Sequence, residues 1–165
     1  MRKNGFFISP SVGKLTINKM VSELVDFINE EPSDFYRLVV GTDSKSKRAK
    51  KDYQLDLITA VVIHRKGKGG RYFWQRNKKK KAHSLRDKIY TETLYSLDLA
   101  EILVPLLQKC LNGEPYELEI HIDVGQNGPT REMIKEVVGM VNGNGFTAKT
   151  KPESYGAFVV ADKHT

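Results

Sequence analysis

Cysteine is nearly missing from this chain. Cys110 stands alone, which excludes an intramolecular disulfide and fits a reducing, cytoplasmic setting. Long apolar runs are missing as well. None approaches the roughly 18–20 residues of a membrane span, so no membrane partner is expected. The short stretch Phe6-Phe7-Ile8 cannot serve as a signal-peptide core. The histidines number four and lack the spacing of a zinc site. No glycine-rich phosphate loop follows the first predicted core strand, where lysines stand instead, which argues against an ATPase of related architecture.

What is abundant is positive charge. Lys and Arg number 27 against 20 Asp and Glu, a net charge of +7 over 165 residues. Such a balance favours polyanions through long-range attraction and counterion release. The length fits a single domain with its own core, spanning 1–165, of which 1–32 read as an N-terminal extension with an accessory helix.

Residues 1–15 read as an irregular lead-in, with Pro10 and Gly13 marking turns. Thr16 is placed to cap a helix whose apolar stripe is Ile17, Met20, Val21, Leu24, Val25 and Ile28, ended by Pro32. Strands are expected over 35–43, 54–65 and 71–76, with loops short enough to make them antiparallel neighbours. A lysine-rich loop over 45–51 and a basic linker over 77–82 separate these elements. A long helix is expected over 84–111, a strand over 116–124, a helix over 129–141, a short strand over 146–149 and a final helix over 153–163.

Four acids stand out within that order. Asp43 follows the apolar run Leu38-Val39-Val40, where an isolated buried charge would be very costly without a partner, water or metal. Glu92 lies three residues after Ile89 and seven before Leu99, on or beside the apolar face of the long helix. Asp123 ends a strand whose alternating residues are Leu118, Ile120 and Ile122. If the strands bearing Asp43 and Asp123 are parallel neighbours, both acids emerge at one edge of the sheet, where sites in open α/β sheets tend to lie. Asp162 sits in the last helical segment, with Glu153 as a weaker competitor for the fourth place. Carboxylates are the donors that hard divalent cations prefer. Their bland alternatives are a solvated Glu92, a turn-forming Asp123 before Gly125, and a surface ion pair between Asp162 and Lys163.

The order and local sequence of these residues resemble the ribonuclease H-like superfamily, and more narrowly the YkuK-type family of bacterial ribonuclease H-like proteins. The blocks that carry the resemblance are Phe7-Ile8-Ser9-Pro10-Ser11, Gly41-Thr42-Asp43-Ser44, His83-Ser84-Leu85-Arg86, His121-Ile122-Asp123-Val124-Gly125, Lys151-Pro152 and Ala161-Asp162-Lys163-His164. The resemblance implies an α/β fold: a five-stranded mixed sheet, three antiparallel strands then two parallel additions, flanked by helices. It also implies a two-metal nuclease centre using Mg²⁺ or Mn²⁺. By motif, Asp43, Glu92, Asp123 and Asp162 take the catalytic and metal-binding positions.

Around that centre, Lys45, Lys47, Arg48, Lys78, Lys79, Lys80, Lys81 and Arg86 are the expected nucleic-acid contacts. His83, His121 and His164 are auxiliary candidates; His121 shares a strand face with Asp123, and buried hydrogen bonding is its ordinary use. The activity implied is hydrolysis of phosphodiester bonds in RNA, an RNA–DNA hybrid or structured DNA by a two-metal mechanism. The alternative is a nucleic-acid-binding module that keeps the fold without cleaving. Substrate choice, cleavage polarity and oligomeric state leave no mark in the sequence.

Overall fold

A computed structural model of the chain describes residues 5–78, 80–154, 160, 163 and 164. Its centre is a mixed sheet made from strands β1 (Phe7–Ser9), β2 (Gly13–Leu15), β3 (Tyr36–Ala49), β4 (Asp52–Arg65), β5 (Gly70–Arg76), β6 (Lys80–Ala82), β7 (Tyr116–His121) and β8 (Thr147–Lys149). The spatial order is β2-β1-β5-β4-β3-β7-β8, with β6 pairing the outer half of β4. Within it, β3, β4 and β5 are antiparallel neighbours, and β7 and β8 add in parallel. The five expected strands and their directions are therefore all present.

Three expectations about the strands and their connections need correction. The lead-in is not irregular: β1 and β2 form a hairpin, and Ile8 pairs with Trp74 to extend the sheet beyond β5. The basic linker contains β6, whose Lys80 and Lys81 pair with Leu55 and Gln54. The lysine-rich loop is mostly strand, since β3 pairs with β4 without a break from Tyr36 to Ala49. Only Lys50 and Lys51 turn the corner, with Lys50 at φ 56°. Strand partners on β4 supplied the ladder that charged residues would not have chosen by propensity alone.

Helix α1 (Ile17–Glu30) starts where Thr16 Oγ1 accepts from the Lys19 backbone N–H. It buries Met20, Val21, Leu24, Phe27 and Ile28 in the main core. Its exposed carbonyls at the C-terminal end meet Tyr36, whose fully buried hydroxyl lies 2.9 Å from the Glu31 carbonyl and 3.0 Å from the Arg65 Nε that donates to it. The Arg65 guanidinium also stacks 4.1 Å over Phe27 and pairs with Glu30. This cluster fastens α1 to β3 and β4.

Helix α2 (Leu85–Cys110) opens on a reciprocal cap. Ser84 Oγ accepts from the Asp87 N–H, and the Asp87 carboxylate accepts from the His83 N–H. Ile89, Leu97, Leu99, Ala100, Leu103 and Leu107 are buried, and they join Leu38, Val40, Val61 and Ile63 in the main core. A 3₁₀ turn, Arg131–Met133, precedes α3 (Ile134–Gly143), so this helix starts later than its proline suggested. The opposite face of the sheet carries a smaller cluster in which Val160 packs with Val39 and Ala60. Residues 151–153 form a turn, so the last helix does not begin at Glu153; Val160, Lys163 and His164 are helical. Among the described residues no helix is long and apolar enough to cross a membrane.

Candidate functional site

Asp43 sits inside β3, opposite Ile58, and not at a strand tip. What ends at its level is the neighbouring ladder: the last β3–β7 pair is Gly41 with His121. Asp43 and Asp123 each lie two residues beyond that pair on parallel strands, at the same edge of the sheet. Strand alternation turns Thr42 and Ser44 toward α2 and Asp43 toward the opposite face. Lys45 and Lys47 continue along β3 on the Asp43 face.

Glu92 approaches from below, on α2. It is 3% exposed, and its Oε1 accepts a 2.7 Å hydrogen bond from Ser44 Oγ. Lys88, one turn earlier, brings its Nζ to 3.4 Å. Burial pushes the Glu92 carboxyl up to about 7; Lys88 and Ser44 oppose that rise, and the negative charge of nearby Asp43 adds to it. Two acids far apart in sequence thus feel each other electrostatically.

Asp123 is half-buried and committed elsewhere, with Lys151 Nζ 2.6 Å from its Oδ1. The Lys151 stem lies over Gly125; a Cβ there would come 3.1 Å from the Lys151 Cβ. Among the described residues no three His, Cys, Asp or Glu side chains gather closely enough to hold a metal ion. Asp162 lies outside the described residues. The donors nevertheless suit a hard divalent cation in kind: a buried carboxylate held near neutrality, with a second carboxylate at electrostatic range, is the charge arrangement such an ion relieves.

The histidines divide. His121 is buried, as its place on the strand suggested, with Nε2 2.8 Å from Glu119 Oε2. Burial lowers its pKa against the pull of Glu119, so it is held toward the neutral form. Arg37 Nε lies 3.1 Å from the other Glu119 oxygen, close but not aligned as a hydrogen bond. His83 places Nδ1 2.8 Å from Asp52 Oδ1, which raises its pKa. His164 stacks on Trp74, ring centroids 4.3 Å apart, and its carbonyl accepts from Arg76.

The two lysine clusters, distant in sequence, meet on one sheet. Lys47, Gln54 and Lys81 share a row across β3, β4 and β6, and alternation puts Lys47 and Lys81 on the Asp43 face. Lys80 and Arg48 turn to the other face. Lys78 is exposed beyond β5, and Lys79 lies outside the described residues. Arg86 is taken up by Glu136, 2.5 Å away, which also accepts from Tyr90. That weakens its claim as a nucleic-acid contact.

Sequence reasoning missed a buried polar chain beneath the sheet. Ser96 Oγ meets Thr42 Oγ1 at 2.8 Å, Thr42 meets Thr59 at 3.0 Å, and Asn77 Nδ2 donates to Thr59 at 2.9 Å. Gln75 Nε2 then reaches Asn77 Oδ1 at 3.4 Å. Its only signal was the polar residues at inward positions of strands, Thr42 and Thr59.

The profile of the family described as Ribonuclease H-like matches residues 19–165. An uncharacterized protein of Bacillus subtilis (strain 168), YkuK, is 33% identical over 181 aligned positions, which cover 100% of this chain and 99% of that protein. No solved structure matches. The mixed sheet has the strand order and directions that such a fold requires, with an added N-terminal hairpin. The chain belongs to the ribonuclease H-like family, in its YkuK-type branch.

Proposed function

We propose that this chain is a metal-dependent nuclease that hydrolyses phosphodiester bonds of RNA, an RNA–DNA hybrid or structured DNA. The observation that carries the reading is the buried Glu92 carboxyl, raised to about 7 by burial with the negative charge of Asp43 adding to the rise, in a ribonuclease H-like chain. Asp43, Glu92, Asp123 and Asp162 would hold two Mg²⁺ or Mn²⁺ ions. When bound, such ions supply an activated water and neutralise charge on the scissile phosphate.

The chain's own residues do the rest. The β3–β4 ladder fixes the Asp43 backbone, and Ser44 orients Glu92 through its hydroxyl. Lys88 balances the Glu92 charge in the absence of other cations. Lys45, Lys47 and Lys81, on the Asp43 face, would hold the backbone phosphates on the approach to the acids. Lys151 keeps Asp123 paired until a stronger positive charge competes for it. That same ion pair favours a second reading, a binding module that does not cleave.

The test is incubation of the full chain with Mn²⁺ and labelled RNA, RNA–DNA hybrid and structured DNA. Cleavage of at least one substrate is expected, falling about 100-fold or more in Asp43→Asn. Binding without cleavage of any substrate, or equal cleavage by Asp43→Asn, contradicts it.

A further inference from the structure

At the far end of β5 lies an open cavity of about 430 Å³, lined by Gly5, Phe6, Gln75, Arg76, Asn77, Lys78, Lys80 and Tyr95. Phe6 precedes the N-terminal hairpin, outside the residues that the family profile matches. Its ring is 52% exposed, with Lys14 Nζ 4.2 Å from the centroid. Tyr95 comes from α2, three residues after Glu92. The cavity therefore combines two aromatic rings, two side-chain amides and three cations.

Its amides are held in place. The chain from Ser96 through Thr42 and Thr59 fixes Asn77, and Gln75, 5% exposed, donates to it. An amide side chain offers two donor hydrogens and an acceptor oxygen with two lone pairs. Among the described residues this network uses one donor and one acceptor site of Asn77, leaving one of each on a group that lines the cavity. A donor beside an acceptor is the pattern that an Asn or Gln presents to a nucleobase edge. Aromatic rings add stacking, and exposed Lys78 and Lys80 add phosphate contacts.

The position connects this cavity to the acids. Asp43, Ile58 and Arg76 share one row across β3, β4 and β5, so Arg76 stands two interstrand spacings, roughly 10 Å, from the Asp43 backbone. We infer that the cavity binds one nucleotide of a single-stranded segment, its base between Phe6 and Tyr95 with its edge on Asn77, and its phosphate at Lys78 and Lys80. This rests on the nuclease reading for the identity of the strand, and gives that strand a binding point away from the carboxylates.

Calorimetric titration of the full chain in EDTA tests it, with the four nucleoside 5′-monophosphates, ribose 5-phosphate and a tetranucleotide as probes. At least one nucleotide should bind saturably with a Kd of about 1 mM or below, ribose 5-phosphate about tenfold more weakly, and the tetranucleotide about tenfold more tightly than the monomer. Phe6→Ala, at an exposed position, should weaken nucleotide binding about tenfold, as should Asn77→Ala. Ribose phosphate binding as well as nucleotides, no nucleotide binding, a tetranucleotide no tighter than the monomer, or full binding by Phe6→Ala overturns the proposal. Because EDTA removes divalent ions, these results stand apart from cleavage, and a failed nuclease assay leaves them readable.

Discussion

Lys151 holds Asp123 in an ion pair of 2.6 Å at the edge where Asp43 also emerges. The lysine is 59% exposed, so the pair is screened and weak enough for a divalent cation to displace. Replacing Lys151 with Met removes the competitor. Mn²⁺ affinity should rise roughly threefold to fivefold in calorimetric titration. Unchanged or weaker affinity would remove Asp123 from the ligand set.

Glu92 makes stability depend on pH in a defined direction. Its folded pKa is about 7 against a reference of 4.5, so the folded state holds a proton that the unfolded state has released between those values. The associated cost is absent below about pH 4.5, grows as pH rises, and is complete above about pH 7, at about 3 kcal/mol. Glu92→Gln should therefore raise Tm by roughly 5–10 °C at pH 8 and barely change it at pH 4.5. A lower Tm at pH 8, or equal shifts at both pH values, would show that the buried charge is not the cost described.

How much of this could be read beforehand follows from what each residue needs. The apolar run before Asp43 and the helical spacing around Glu92 singled out both acids as candidates, because burial patterns are local in sequence. The strand beyond Asp43 did not look like one. Lys45, Lys47 and Arg48 have poor strand propensity, and only their pairing with Asp56, Gln54 and Tyr53 keeps them extended. Three-residue strands such as β1, β2 and β6 are too short to show alternation. The Thr42–Thr59–Asn77 chain needed the register of three strands before it could be seen. The Lys151–Asp123 pair joins residues 28 positions apart around α3 and β8, and no local pattern reports it.

The row formed by Lys47 and Lys81 gives the basic surface a face. Counterion release predicts a salt slope of about 0.7–0.9 for each phosphate that a lysine neutralises. A Lys47→Ala, Lys81→Ala double variant should lower the slope of log affinity against log salt by about 1.4–1.8 in fluorescence anisotropy with labelled RNA. Arg48→Ala, on the opposite face, should change it by less than half that. Equal effects from the two faces would deny a one-sided interface.

Tyr36 fastens α1 through its buried hydroxyl, which Arg65 donates to and the Glu31 carbonyl accepts from. Tyr36→Phe leaves those partners in place without their link and should cost about 1–3 kcal/mol in urea unfolding. An unchanged midpoint would mean that packing of Phe27 and Ile28 alone secures the helix.

The claim on which the rest depends is that Asp43 and Glu92 together hold a divalent cation. Its most direct measure is the loss of the free Mn²⁺ electron paramagnetic resonance signal on titration with the full chain at pH 8. Saturable uptake by the wild type, weakened about tenfold or more in both Asp43→Asn and Glu92→Gln, is the expected result. No uptake at millimolar Mn²⁺, or uptake that both variants retain, would contradict it.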